Sequence, residues 1–194
     1  MNIVLLGVGI GLLTLVPPGP ISLALVQVGT RHGRQPALRG ALGVASGDMV
    51  LGVAAVLIVG MGAALPARFF SASQIGAALL LVAIGLAMLI RPDAASSSID
   101  RIQRPGRAMF LLTSVTPTAL GAWIALLAAM PFATEPAQLA LFAIGVVVAS
   151  FVWHPMLGLG AARVGSRLTP HGQKRLSQAG GVAMAAVGAA LLAT

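Results

Sequence analysis

The chain contains no cysteine and no tyrosine, and only four acidic residues stand among its 194 positions. Without cysteine there is no disulfide framework, no thiol redox centre and no thiolate-held metal. Three scattered histidines give none of the usual metal-ligand spacings, so neither metal nor cofactor is expected. No Walker loop is present, and GVGIG at Gly7 to Gly11 lacks the dinucleotide-binding pattern and follows no soluble strand, which sets aside direct ATP use and nicotinamide binding. Charged residues make up 8% of the chain, against roughly a quarter in a soluble domain, so an ordinary soluble fold is excluded.

What is present is apolar: 58% of the residues are hydrophobic and the mean hydropathy is +0.98. The 24 glycines fall singly inside apolar runs, as they do where small residues let membrane helices approach. An all-α integral membrane protein is therefore expected. The net charge of +8 sits in short gaps between apolar runs, which assigns it to orientation and to lipid headgroups and argues against nucleic acid as a partner. The N-terminus has no basic leader region, and its uncharged stretch continues to Thr30, so the first apolar run reads as a retained helix and not as a cleaved signal.

Six segments reach the length of about 20 apolar residues that a spanning helix needs: 3–28, 38–62, 72–90, 108–130, 137–161 and 176–193. Basic residues concentrate in alternate connections: Arg31, Arg34 and Arg39 in the first, Arg91, Arg101, Arg104 and Arg107 against Asp93 and Asp100 in the third, Arg163, Arg167, Lys174 and Arg175 in the fifth. The positive-inside rule then places those connections in the cytoplasm and both termini outside. The Ser/Ala-rich stretch Asp93 to Ile99 lies in a cytoplasmic linker, 93–105, that divides one transmembrane transporter domain (1–194) into halves of about 1–92 and 106–194. Each half holds three spans, an odd number, so the halves must have opposite orientations.

LLTLVPPGP at Leu12 to Pro20 recurs in part as LLTSVTPTA at Leu111 to Ala119, at a constant offset of 99 residues. This places a related interruption in the first helix of each half, as inverted-repeat transporters do. Proline lacks a backbone donor and clashes with the carbonyl four residues back, at a cost of about 3 kcal/mol inside a helix. Pro17, Pro18 and Pro20 together free carbonyls near Leu13, Thr14 and Val16, and in hydrocarbon such groups must meet protein, water or ligand. The expected fold is thus six transmembrane helices in two inverted three-helix repeats with broken first helices. The substrate-binding candidates are Thr14, Pro18, Gly19, Pro20, Ser22, Thr113, Thr116 and Pro117 at the two breaks, with Trp123 as a cavity-lining aromatic. A kink packed dry against neighbouring helices is the alternative.

Asp48 is the single acid inside an expected span, ten residues beyond Leu38. At 1.5 Å per residue that is about 15 Å deep, near the middle of a core of about 30 Å. Placing aspartate there costs about 2.5–3.5 kcal/mol, so it must face the bundle interior or a watery path. His154, before Pro155 in the fifth span, can change charge near neutral pH and could meet Asp48 from the other half. Asp48 and His154 are the candidates for proton coupling; a static hydrogen-bonded acid and a histidine that satisfies a carbonyl near Pro155 are the alternatives.

PPGP at Pro17 to Pro20, a basic loop with Gly33, and GALGVASGD at Gly40 to Asp48 resemble the lysine-exporter and homoserine/threonine-exporter (LysE/RhtB) family of bacterial inner-membrane translocators, over nearly the whole chain. The resemblance implies export of amino acids or close derivatives across the bacterial cytoplasmic membrane in exchange for protons, and it allows a homodimer. Members commonly carry Asn-Pro-Lys at the start of the fourth span, where this chain has Thr116, Pro117 and Thr118. The proline is kept; the amide and the cation are not. Export of another small ion or metabolite and a non-transport membrane scaffold are the competing readings, and the scarcity of clustered acids, bases and nucleophiles argues against an enzyme.

Overall fold

The computed structural model describes residues 2–15, 20–61 and 104–167, with scattered positions between 75 and 90 and between 169 and 189. Six helices are defined among the described residues: α1 (Ile3–Leu15), α2 (Pro20–His32), α3 (Arg34–Gly60), α4 (Pro105–Ser114), α5 (Pro117–Ala128) and α6 (Pro136–Gly165). No strand occurs among the described residues. Most of the expected third and sixth spans, nearly all of the linker, and Pro17, Pro18 and Gly19 lie outside the described residues.

Proline punctuates this chain as a helix starter. Pro105, Pro117 and Pro136 open α4, α5 and α6, and Pro20 opens α2, positions whose N–H would have no intrahelical partner anyway. α3 and α6, of 27 and 30 residues, are each long and apolar enough to cross a membrane, and α4 with α5, bent by 56°, together meet the same test. The two long helices extend a few residues beyond the hydropathy boundaries because their basic ends continue the helix past the apolar run. Pro155 sits inside α6 without ending it.

Glycine contacts reveal how these pieces pair. Gly7 and Gly11 of α1 lie against Phe142, Gly145, Val146 and Ala149, whereas Gly29 and Thr30 of α2 lie against Gly158, Ala161, Ala162 and Gly165. α1 and α2 therefore run one after the other along α6, in its direction, as two segments of one path. α4 and α5 do the same along α3: Gly106 meets Arg39 and Gly43, Thr113 meets Gly47, and the Trp123 indole meets Gly52. Ala37 beside Gly158 and Gly60 beside Pro136 make α3 and α6 antiparallel. The two interrupted paths consequently run in opposite directions, each on the long helix of the other half.

These approaches need glycine. A Cβ built on Gly145 lies 2.9 Å from Gly7 Cα and runs into the Val4 carbonyl oxygen, and one built on Gly43 runs into the Gly106 carbonyl oxygen. Lipid gives no hydrophobic drive between helices, so backbone proximity and the dispersion it allows hold such pairs together. Gly33, between α2 and α3, is needed for another reason: its φ of 80° is the only positive one among the described residues. An added Cβ there meets nothing within 4 Å, but φ 80° with ψ −166° is a region essentially reserved for glycine, so Gly33→Ala should cost the backbone term alone, about 1–3 kcal/mol, read as a lowered thermal midpoint in detergent.

Two apolar clusters form the interior among the described residues. Leu51, Ala55, Trp123, Ile124, Leu127, Leu139 and Phe142 belong to the larger, and Val28, Val44 and Met109 form the smaller. The smaller lies toward the end where the termini of α2 and α6 and the starts of α3 and α4 gather, as Gly165 against Thr30 and Gly106 against Arg39 show. That end carries Arg31, Arg34, Arg39, Arg104, Arg107 and Arg163. Phe132 and Phe142, in edge contact at 5.8 Å between ring centroids, belong to the larger cluster toward the other end.

Candidate functional site

A cavity of about 350 Å³ opens between the two clusters. Val44 from the smaller cluster and Trp123 and Val146 from the larger contribute to its wall. The cavity brings together six of the residues singled out from sequence: Thr14, Ser22, Asp48, Thr116, Trp123 and His154. Thr14 lies in the last turn of α1, Ser22 in the first turn of α2, and Thr116 caps α5, so hydroxyls from beside both proline motifs reach one chamber.

The second interruption shows how a broken helix keeps its carbonyls satisfied. Pro117 cannot donate, so the Thr113 carbonyl takes the Thr116 N–H at 3.3 Å in a tighter turn, while the Val115 N–H still reaches the Leu111 carbonyl at 3.0 Å. Tightening leaves the Leu112 carbonyl without a backbone N–H, and the Thr116 hydroxyl donates to it. At the end of α1 the Thr14 hydroxyl likewise donates to the Gly11 carbonyl at 2.9 Å. Each threonine has one O–H to give. With that hydrogen committed to the backbone, Thr14 and Thr116 offer the cavity only lone pairs.

Asp48, 8% exposed, projects from the middle of α3. The Ser150 hydroxyl donates to its Oδ2 at 2.6 Å, and the Trp123 indole shares the same cavity wall. His154, one turn beyond Ser150 on α6, is 3% exposed. Its Nδ1 lies 2.9 Å from Ser150 Oγ and 3.2 Å from the Ser150 carbonyl oxygen. His154 thus meets a helix carbonyl near Pro155 and also communicates with Asp48 through one serine. A carboxylate with two acceptor-only hydroxyls in the same chamber suits a ligand rich in donors, such as an ammonium group.

The remaining candidates fall elsewhere. Thr113 is fully buried and packs its Cβ and Cγ2 against Gly47 rather than lining the cavity. Pro117 and Pro20 start their helices, and Pro18 and Gly19 lie outside the described residues. Ser150 was missed by sequence reasoning, although a signal exists: ALGVASGD at Ala41 to Asp48 aligns with AIGVVVAS at Ala143 to Ser150. In that register Gly43 matches Gly145, Val44 matches Val146, and Asp48 matches Ser150. The two positions that match in that register lie on oppositely directed helices and meet in the structure.

Helices long enough to span a bilayer, crosswise glycine packing and a polar chamber at helix interruptions define a multi-pass membrane protein built around an internal site. The chain belongs to the LysE type translocator family, whose sequence profile matches residues 12–194. No curated protein and no solved structure matches it at a significant level.

If the Leu112 carbonyl depends on the Thr116 hydroxyl, Thr116→Val, which keeps the branched shape, loses both that bond and a cavity acceptor. A loss of about 1–2 kcal/mol is expected, seen as a roughly five- to thirtyfold weaker apparent affinity for the transported solute, with Thr116→Ser near wild type. Equal affinities for all three proteins would remove Thr116 from the site.

Proposed function

We propose that the protein is a secondary efflux transporter that exports amino acids or close derivatives across the bacterial cytoplasmic membrane by proton antiport, with no chemical step performed on the substrate. The observation that carries this reading is the chamber itself, where hydroxyls from both helix interruptions share a cavity with Asp48 and His154. A scaffold would have its interruptions packed dry. The ammonium of the substrate faces Asp48 and the threonine oxygens, and its carboxylate is left to Ser22 and to the first-turn N–H groups of α2.

The complete bundle in this reading has six spans in two inverted repeats, supported by the opposite directions of the interrupted paths and by the family match. The arginine-rich end faces the cytoplasm and both termini lie outside, following the positive-inside rule. The apolar clusters flank the chamber on either side, and alternating access requires each to open in turn. Protons, lipids and, as one assembly, a second copy of the chain are the partners. The test is accumulation of a labelled amino-acid panel by inverted vesicles with and without a pH gradient. Gradient-dependent uptake of at least one amino acid is expected; no uptake of any, with the protein present and folded, would overturn the reading.

A further inference from the structure

We propose that Ser150 is a proton-relay residue that joins His154 and Asp48 into a unit taking up and releasing one proton; this rests on the proton-coupled reading above. The hydrogen-bond directions carry it. Serine has a single O–H, and Ser150 gives it to Asp48 Oδ2 at 2.6 Å. Toward His154 Nδ1, at 2.9 Å, its oxygen must then accept, so Nδ1 holds the ring hydrogen. The Ser150 carbonyl oxygen, 3.2 Å from the same nitrogen, favours that tautomer as a second acceptor. A neutral imidazole with Nδ1–H keeps its lone pair on Nε2, which is therefore the open proton site of a residue that lines the cavity.

Proton uptake then balances as a shift along the chain. An arriving proton bonds to Nε2, Nδ1 passes its proton to Ser150 Oγ, and the original serine proton passes to Asp48 Oδ2. The unit goes from one negative charge to none. All three side chains end neutral, with the histidine in its other tautomer and both hydrogen bonds reversed. No imidazolium or isolated carboxylate is left at rest in the apolar interior after uptake, where unpaired charge is most costly. Release toward the other side runs the same steps backward.

Among the described residues, no other ionisable group competes in this chamber. α1 and α5 carry none, while Arg31 and His32 of α2, Arg34 and Arg39 of α3, Arg107 of α4 and Arg163 of α6 belong to the basic end of the bundle. Among the described residues, only Asp48 and His154 are ionisable in the cavity wall.

The experiment is 15N solid-state NMR of histidine-labelled, full-length protein in lipid bilayers across pH, with His154 assigned by its loss in His154→Gln. The expected wild-type spectrum passes from Nδ1–H to Nε2–H as pH falls, without a populated imidazolium between. Ser150→Ala should abolish that tautomer change and lower gradient-driven flux at least about tenfold. Ser150→Thr, which keeps a hydroxyl, should restore both. A wild-type His154 that holds one tautomer throughout, or that charges directly to imidazolium, overturns the relay, and this readout stands even if Ser150→Ala does not fold. A Ser150→Ala protein with an unchanged tautomer shift does so as well. Because the spectrum needs no substrate, tautomer exchange without any driven flux would count against the transport reading alone, and driven flux without tautomer exchange against the relay alone.

Discussion

Asp48→Asn is expected to insert and fold while its gradient-driven flux falls by at least about a hundredfold, the scale on which a positioned proton carrier contributes. Asparagine has nearly the same shape, and its Oδ1 can still accept the Ser150 hydroxyl that now bonds Asp48 at 2.6 Å. The packing of α3 against α6 therefore has no reason to change. What disappears is the proton site and the negative charge that an ammonium group would meet. Replacing the acid by an amide also removes part of an insertion cost of about 2.5–3.5 kcal/mol, so the variant should be no less resistant to unfolding than the parent. Flux in proteoliposomes under an imposed pH gradient, alongside a denaturation curve, separates the two effects. Wild-type driven flux in a folded Asp48→Asn protein would leave Asp48 as a structural acid.

The largest loss of stability is expected from Gly145→Leu. The backbones of α1 and α6 touch here, and even a Cβ on Gly145 collides with the Val4 carbonyl oxygen and comes within 2.9 Å of Gly7 Cα. Backbone cannot rotate aside as a side chain can, so α1 must move away along its length. Overpacking of this kind costs at least about 1–3 kcal/mol. Thr14 closes the displaced helix, so the chamber should lose that part of its wall and transport should fall with stability. Gly160→Leu is the matched control on the same helix, because a Cβ there meets nothing within 4 Å. A fall in the unfolding midpoint confined to Gly145→Leu supports the contact; equal behaviour of the two variants argues against it.

The helix interruptions illustrate what proline chemistry makes legible. LLTSVTPTA led to a break near Pro117, and α4 ends at Ser114 with α5 starting at Pro117; the matching break near Pro18 lies outside the described residues. Thr113 shows the limit of that reasoning. It has the same place in its motif as Thr14, yet it faces α3 at Gly47 while Thr14 lines the cavity. The direction a side chain takes at the end of a helix depends on the helix it meets, and the local motif says nothing of that. Ser150 was overlooked because a lone serine in an apolar helix normally bonds its own backbone; its importance appears only with Asp48 beside it.

Membrane residence, the helical class, the interruption at Pro117 and the burial of Asp48 all followed from composition and order, because each rests on a local property: apolar length, scarce charge, or the donor that proline lacks. The meeting of Thr14, Thr116, Asp48, Ser150 and His154 was decided by packing alone. Asp48 and Ser150 are 102 residues apart and come within 2.6 Å only because glycine contacts seat each interrupted path on the long helix of the opposite half. Which polar groups share one chamber is a property of those contacts, which no stretch of the chain specifies by itself.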